Sequence, residues 1–389
     1  MTTNPFFSRA MLMLSAAVWL LAVACQKQDA TPTNNLTTLP AAVPAPAGNP
    51  SSTAQIALGR ALFWDPILSG GRDVSCATCH HPSKAYADGL DLSIGVNGQG
   101  LGSTRRFLTP NTIPFTQRNC TTVLNTAYNG MAADGSFNAF TAPMFWDNRA
   151  QSLEAQALLP IVTLEEMRSG RYPEAAALDS VVARLRHIPA YVTLFQQAFA
   201  ESTPVTSTNL GKAIAAFERT LVTTDAPYDE YLRGNTSALT AQQVQGLNAF
   251  VATGCNKCHS GPMLSDYLPH VLGIADNPKL ATSDSGVNGT YAFRTPSLRN
   301  VALTAPYMHN GMLATLQDVV NFYDQGGRNG GRAPQNPHVA ARQLDPLLPG
   351  RVQNTQAIVA FLNTLTAQSY DRTVPTTVPS GLSVGGNIR

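Results

Sequence analysis

Cys76-Ala77-Thr78-Cys79-His80 and Cys255-Asn256-Lys257-Cys258-His259 constrain this chain more than any other feature of it. In each run two thiols stand three positions apart with a histidine directly after them. That spacing lets both sulfurs add to the vinyl groups of one porphyrin while the imidazole takes its iron. A chain built this way must fold twice around a flat apolar group, so two covalently bound haem c are expected. The competing readings are paired zinc ligands and disulfides. A zinc site of four cysteines would leave both trailing histidines unexplained.

At 389 residues the chain can form two domains with real cores. Its 26 basic and 24 acidic residues leave a net charge of +2, which gives no footprint for nucleic acid. Only 13% of residues are charged, while 29 Gly and 27 Pro favour irregular loops wrapped around large cofactors. The expected fold is mainly α: two cytochrome c-like haem domains packed together, with few or short strands. The N-terminal haem domain is placed at 51–232, the C-terminal one at 233–372, and a tail at 373–389.

Arg9 precedes the apolar run Ala10 to Ala24, which is short for a bilayer span and reads as a signal peptide over residues 1–24. The run ends in Leu21-Ala22-Val23-Ala24-Cys25, which resembles a bacterial lipoprotein lipobox. That resemblance implies lipidation of Cys25, and Gln26 after it would suit outer-membrane sorting. The expected location is exported and periplasmic, with the membrane reached by lipid anchor only. Residues 25–50, rich in Thr, Pro and Ala, read as a flexible tether. Of the six cysteines, Cys120 alone has no assignment and is expected to be buried and inert.

The chain also repeats itself. Ala213-Ile214-Ala215-Ala216-Phe217-Glu218-Arg219-Thr220-Leu221 matches Ala357-Ile358-Val359-Ala360-Phe361-Leu362-Asn363-Thr364-Leu365, and apolar residues fall at helical spacing in both. Ahead of the second haem motif, Val244, Leu247 and Val251 make a helical face, capped by Thr240 and ended by Gly254. A second match runs from Thr141-Ala142-Pro143 to Thr304-Ala305-Pro306 at a constant offset of 163 residues. Thr315 and Asp318 then form a capping box, Leu316, Val319, Val320 and Tyr323 share one face, and Gly326-Gly327 end that helix. Subtracting the offset from Tyr323 gives Pro160, which cannot ligate iron. The pattern therefore predicts an asymmetric pair, one closed haem and one open.

Sixth ligands are scarce. Seven histidines occur, and none lies between Pro82 and Arg186. His81 is too close to His80 to reach the opposite face, and His187 reads as a surface residue. His270, His309, His338, Met263, Met308 and Met312 stand in the second half. Tyr323 is the stronger candidate on helix phase, with Met308 as its alternative; a phenolate favours the oxidised metal and a thioether raises its potential.

Several motifs in order now carry a resemblance: Cys76 to Pro82, Phe145-Trp146-Asp147-Asn148-Arg149-Ala150, Gln156-Ala157, Glu166-Met167, Cys255 to His259, and Thr295-Pro296-Ser297-Leu298-Arg299-Asn300 through His309-Asn310-Gly311. Over roughly residues 54–370 the chain resembles the bacterial di-haem cytochrome c peroxidases, and within them MauG-like proteins. The resemblance implies that Trp146 lies between the haems and that Glu166 is the peroxidatic acid/base. It puts Gln156 and Pro160 in the same pocket. It also implies a calcium site formed by the Asn119 side chain with the backbone oxygens of Thr304 and Pro306. Two departures from the standard peroxidases are MauG-like: Val96 stands where a capping histidine follows Ser93-Ile94-Gly95, before a longer Gly-rich insertion, and Tyr323 stands in place of an axial methionine.

The function expected first is a periplasmic peroxidase that reduces hydrogen peroxide with electrons from a small cytochrome c or cupredoxin. The second is a MauG-type enzyme that uses peroxide to oxidise a protein substrate. The third, a non-catalytic di-haem electron-transfer cytochrome, is disfavoured because the first haem lacks a sixth ligand. Peroxidases of this family tend to form a homodimer, whereas MauG does not need to.

Overall fold

A computed structural model describes residues 35–324 and 333–389. The signal-peptide run, Cys25 and Gly326-Gly327 lie outside the described residues. None of the described helices is long and apolar enough to cross a membrane.

Helix α1 (Thr53–Trp64) begins at a capping box between Ser52 and Gln55 and buries Leu58, Leu62, Phe63 and Trp64. Each of those side chains contributes roughly 1.5–3 kcal/mol on leaving water. A short α2 (Cys76–Cys79) carries the first haem motif. After it come α3 (Leu153–Gln156), α4 (Leu159–Val162), α5 (Glu174–Arg186), α6 (Pro189–Ala198), α7 (Ser207–Glu218) and α8 (Pro227–Leu232). The second half holds α9 (Ala241–Thr253), α10 (Leu316–Asp324) and α11 (Thr355–Asn363). Among the described residues, strands are confined to three two-stranded antiparallel ribbons: β1 (Gly98–Gln99) with β2 (Arg106–Phe107), β3 (Pro143–Met144) with β4 (Ala150–Gln151), and β5 (Pro269–Val271) with β6 (Ala292–Arg294). The fold is therefore mainly α, with two cytochrome c-like halves packed together.

The internal repeat is visible as one helix crossing made twice. In the first half α1 packs on α7, and a Cβ at Gly59 would lie 1.9 Å from Ala213 O and 2.9 Å from Phe217 Cβ. In the second half α9 packs on α11, and Gly246 meets Ala357 O and Phe361 Cβ at the same 1.9 and 2.9 Å. Glycine at each crossing lets the two backbones touch. The expected caps are also in place. Thr240 Oγ1 accepts from Gln243 N, Gly254 closes α9 in the left-handed region (φ 88°), and Thr315 and Asp318 bond reciprocally ahead of α10.

Both ends of the described chain depart from expectation. The segment read as a flexible tether is packed from Asn35 onward: Asn35 Nδ2 donates to Asn256 O (2.9 Å), Leu36 and Leu39 are buried, and Asn49 Nδ2 donates to Glu154 (2.9 Å). Two apolar side chains spaced among Thr and Pro suffice to anchor an extended strap, although they make no periodic signal. The segment read as a tail returns to the first half. There Val378 joins the core of Phe63, Trp64 and Ala77, and Ser380 bonds Asp65. Helix α8, read as the end of the first domain, sits with the second-half core, with the Tyr228 and Phe361 rings 5.7 Å apart.

Candidate active site

Each Cys-x-x-Cys-His motif opens onto its own cavity. Cys76, Cys79 and His80 line the first; Cys255, Cys258 and His259 line the second. All four thiols are free, and the two pairs stand on different cavities, which excludes a shared four-cysteine zinc site. The histidines are held alike. His80 Nδ1 donates to Tyr86 O and His259 Nδ1 to Leu264 O, both at 3.0 Å. Bonding Nδ1 to a carbonyl fixes the tautomer and leaves Nε2 as the free electron pair, as a metal-ligating imidazole requires. Burial holds both imidazoles below their usual range and so keeps them neutral. The residues present therefore fit one haem c in each cavity.

The first cavity gathers the residues marked in its half. Gln156, Pro160, Glu165 and Glu166 all line it. His80 is the only imidazole on it among the described residues. Glu166 stands on a single π-helical turn, Leu164–Arg168, in which Arg168 N reaches back to Thr163 O (3.0 Å). Such turns recur at functional sites because they aim one side chain out of register. Two glycines brace it. Gly70 N donates to Met167 O (2.7 Å), and Gly95 abuts the Glu165 and Glu166 carbonyls so closely that a Cβ would lie 2.3 Å from each. Burial pushes the Glu166 carboxyl up to about 7 against the pull of the Arg149 guanidinium, and Glu165 adds to the rise.

Trp146 lines both cavities, as do Asn119, Cys120 and Arg294. Its Nε1 donates to Asn119 O (2.9 Å), and its own carbonyl accepts from Arg294 N (2.7 Å), so the indole is fixed from both halves. Cys120 sits beside His80, Sγ 3.4 Å from Nδ1, and burial keeps its thiol protonated. Asn119 Nδ2 donates to Leu90 O (2.8 Å), which leaves the amide oxygen for another partner. Asn119, Thr304 and Pro306 all border the second cavity.

Tyr323 and Met308 both line the second cavity, so both candidates for its sixth ligand are brought there. Burial pushes the Tyr323 phenol up, with Cys255 and Cys258 adding to the rise. The histidines are otherwise engaged. His270 is clamped by Asp266 (3.0 Å) and Asp345 (2.6 Å), and hydrogen bonds to these two carboxylates push it up. His309 lies flat on Phe293 (centroids 3.5 Å, 9°) and edge-on to Trp146, and burial lowers it to about 3. His338 stacks on Tyr291, and His187 is exposed. Val96, at the position of a capping histidine, packs into the core with Ile161 and Met167.

One cavity residue escaped the sequence reading. Glu218 on α7 is 4% exposed and lines the first cavity, and its Oε2 has no hydrogen-bond partner among the described residues. The repeat held the signal: the match pairs Glu218 with Leu362, which lines the second cavity. A carboxyl therefore replaces leucine at one of two equivalent positions.

A family model described as di-haem cytochrome c peroxidase matches residues 53–237. The methylamine utilization protein MauG of Methylorubrum extorquens is 35% identical over 341 residues, 86% of this chain and 85% of that protein. Cytochrome c551 peroxidase of Pseudomonas aeruginosa is 36% identical over 332 residues, 82% of this chain and 81% of its own. Among solved structures, a MauG-like protein associated with microbial copper homeostasis is similar with a TM-score of 0.66 and 29% identity, over 85% of this chain and 95% of that one. Such identity along most of each chain, together with a haem-binding motif on each of two cavities, places this protein in the di-haem cytochrome c peroxidase family.

Proposed function

We propose that this chain reduces hydrogen peroxide to water at the cavity on His80, using two electrons and two protons per peroxide. The observation that carries the reading is Glu166, which lines a cavity where His80 is the only imidazole among the described residues. Cys76, Cys79 and His80 would hold a haem c, which would supply the iron and redox chemistry for peroxide reduction. Glu166 takes the proton from the nearer peroxide oxygen and returns it to the farther one, which leaves as water. A carboxyl poised at about 7 exchanges protons in both directions at neutral pH. Gln156 offers an amide to orient the substrate, and Pro160 offers no ligating atom. Trp146, in the wall shared by the cavities, shortens the electron path from the haem on Cys255, Cys258 and His259. Tyr323 is the proposed sixth ligand of that second haem, with Met308 as the alternative.

Electrons come from a small cytochrome c or cupredoxin in the periplasm, where the chain is tethered through Cys25. A calcium ion bound by the Asn119 side chain and the Thr304 and Pro306 carbonyls joins the two halves. A second reading, peroxide-driven oxidation of a protein substrate, is favoured by one feature, the tyrosine rather than methionine on α10.

Glu166→Gln tests the first reading. Peroxide turnover of the haem-loaded protein is expected to fall about 100-fold, and the acid limb of its pH profile near 7 is expected to vanish. Unchanged turnover would remove Glu166 from the mechanism.

A further inference from the structure

The insertion that follows Ser93-Ile94-Gly95 carries no capping histidine, yet it delivers one buried cation. Arg105 is 3% exposed and stands where the β1–β2 hairpin returns. Each of its hydrogen bonds goes to the main chain: Nε to Ile94 O (2.5 Å), Nη2 to Gly95 O (2.7 Å), and Nη1 to Gly100 O (2.9 Å) and Asn387 O (3.0 Å). A planar fork of five donors can fix several carbonyls in one arrangement, whereas a lysine ammonium is a single point of charge. Gly98 makes room for it, since a Cβ there would lie 2.8 Å from Nη2.

Two of these carbonyls belong to the peptides that support the proposed acid/base. Gly95 lies directly against the Glu165 and Glu166 backbone, and Val96 N donates to Glu165 O (3.2 Å). On the other side, Asn387 belongs to the returning C-terminal segment. Asn387 N donates to Asp73 O (2.8 Å), and Gly385 O accepts from Thr78 Oγ1 (2.9 Å) inside the first haem motif. The guanidinium thus ties the 94–100 loop, which abuts the Glu166 turn, to the returning C-terminal segment.

We infer that Arg105 is a positioning residue for Glu166, holding the Glu166 turn in register through Ile94 and Gly95. The inference rests on the acid/base reading of Glu166 given above. The insertion thereby supports the proton-handling wall.

A double-mutant cycle on the haem-loaded protein tests it, using Arg105→Met, Arg105→Lys, Glu166→Gln and the Arg105→Met/Glu166→Gln pair. Displacing the carboxyl by about 1 Å predicts a ~30- to 100-fold loss of kcat in Arg105→Met, with KM for peroxide little changed. Arg105→Lys should recover part of that loss. In the Glu166→Gln background the same change should cost less than about 3-fold more, because the group it positions is already gone. Amide exchange at Val96 and Gly70 should quicken in Arg105→Met, while α9 and α11 stay protected. Equal fold-losses in both backgrounds, or unaltered exchange at those two amides, overturn the assignment and leave the role of Glu166 intact. Full turnover by Glu166→Gln overturns the acid/base reading and this inference with it. Should Arg105→Met fail to take up haem, Arg105→Lys and its pair with Glu166→Gln carry the same comparison.

Discussion

Gly95→Ala isolates the geometry of the Glu166 turn from its chemistry, since it adds one methyl group and no charge. The new Cβ would stand 2.3 Å from both Glu165 O and Glu166 O and 2.8 Å from Glu166 Cα. Ordinary contact begins near 3.4 Å, so the turn must retreat by about 1 Å. All three neighbours are backbone, and no rotamer change relieves them. Gly95 is not in the left-handed region, so alanine brings no strain of its own. Overpacking of this kind costs about 1–3 kcal/mol of stability. The catalytic effect should be larger in proportion. A carboxyl 1 Å out of place forfeits about 100-fold in kcat, or about 2.7 kcal/mol of barrier. The assay is steady-state peroxide turnover beside thermal unfolding of the haem-loaded variant. Gly170→Ala is the control, because a Cβ there meets nothing within 4 Å and lies two residues past the same turn. Wild-type kcat in Gly95→Ala, or an equal loss in Gly170→Ala, would refute the claim that this close approach places Glu166.

Two further outcomes are expected. Tyr323→Phe should alter the optical and low-temperature EPR spectra of the second haem while leaving a high-spin signal from the first; an unaltered second-haem spectrum would mean that the ligand is elsewhere. Glu218→Gln should change how stability depends on pH. Burial raises the Glu218 carboxyl from 4.5 to about 8, so the folded state holds this proton more tightly than the unfolded state does. The resulting cost is absent below about 4.5, grows as pH rises, and is complete above about 8, where it reaches on the order of 4 kcal/mol. Denaturant unfolding at pH 5 and pH 8 should show a smaller difference in the glutamine variant, and an unchanged difference would mean that Glu218 finds a partner when haem is bound.

The parts of this protein that were legible in the sequence are those whose physics is local. A five-residue motif holds its own cofactor chemistry, so both haem sites could be named from contiguous residues. Caps act within one turn, which is why Thr315 with Asp318 and Thr240 with Gly254 appear where the pattern put them. Helix phase carried Tyr323 to the second cavity, and the repeat anticipated two equivalent helices that cross two others in the same way. Tertiary structure alone decided what presses on Glu166. Gly70 and Gly95 lie 96 and 71 residues before it, and Arg105 grips the carbonyl of Asn387, 282 residues away. It also turned an apparent tether and tail into straps across the two halves, and it placed Val96 in the core rather than on the cavity wall. Backbone-to-backbone approach leaves no periodicity in a sequence, because glycine and a carbonyl oxygen look the same wherever they occur. Only closure of the fold brings them within contact.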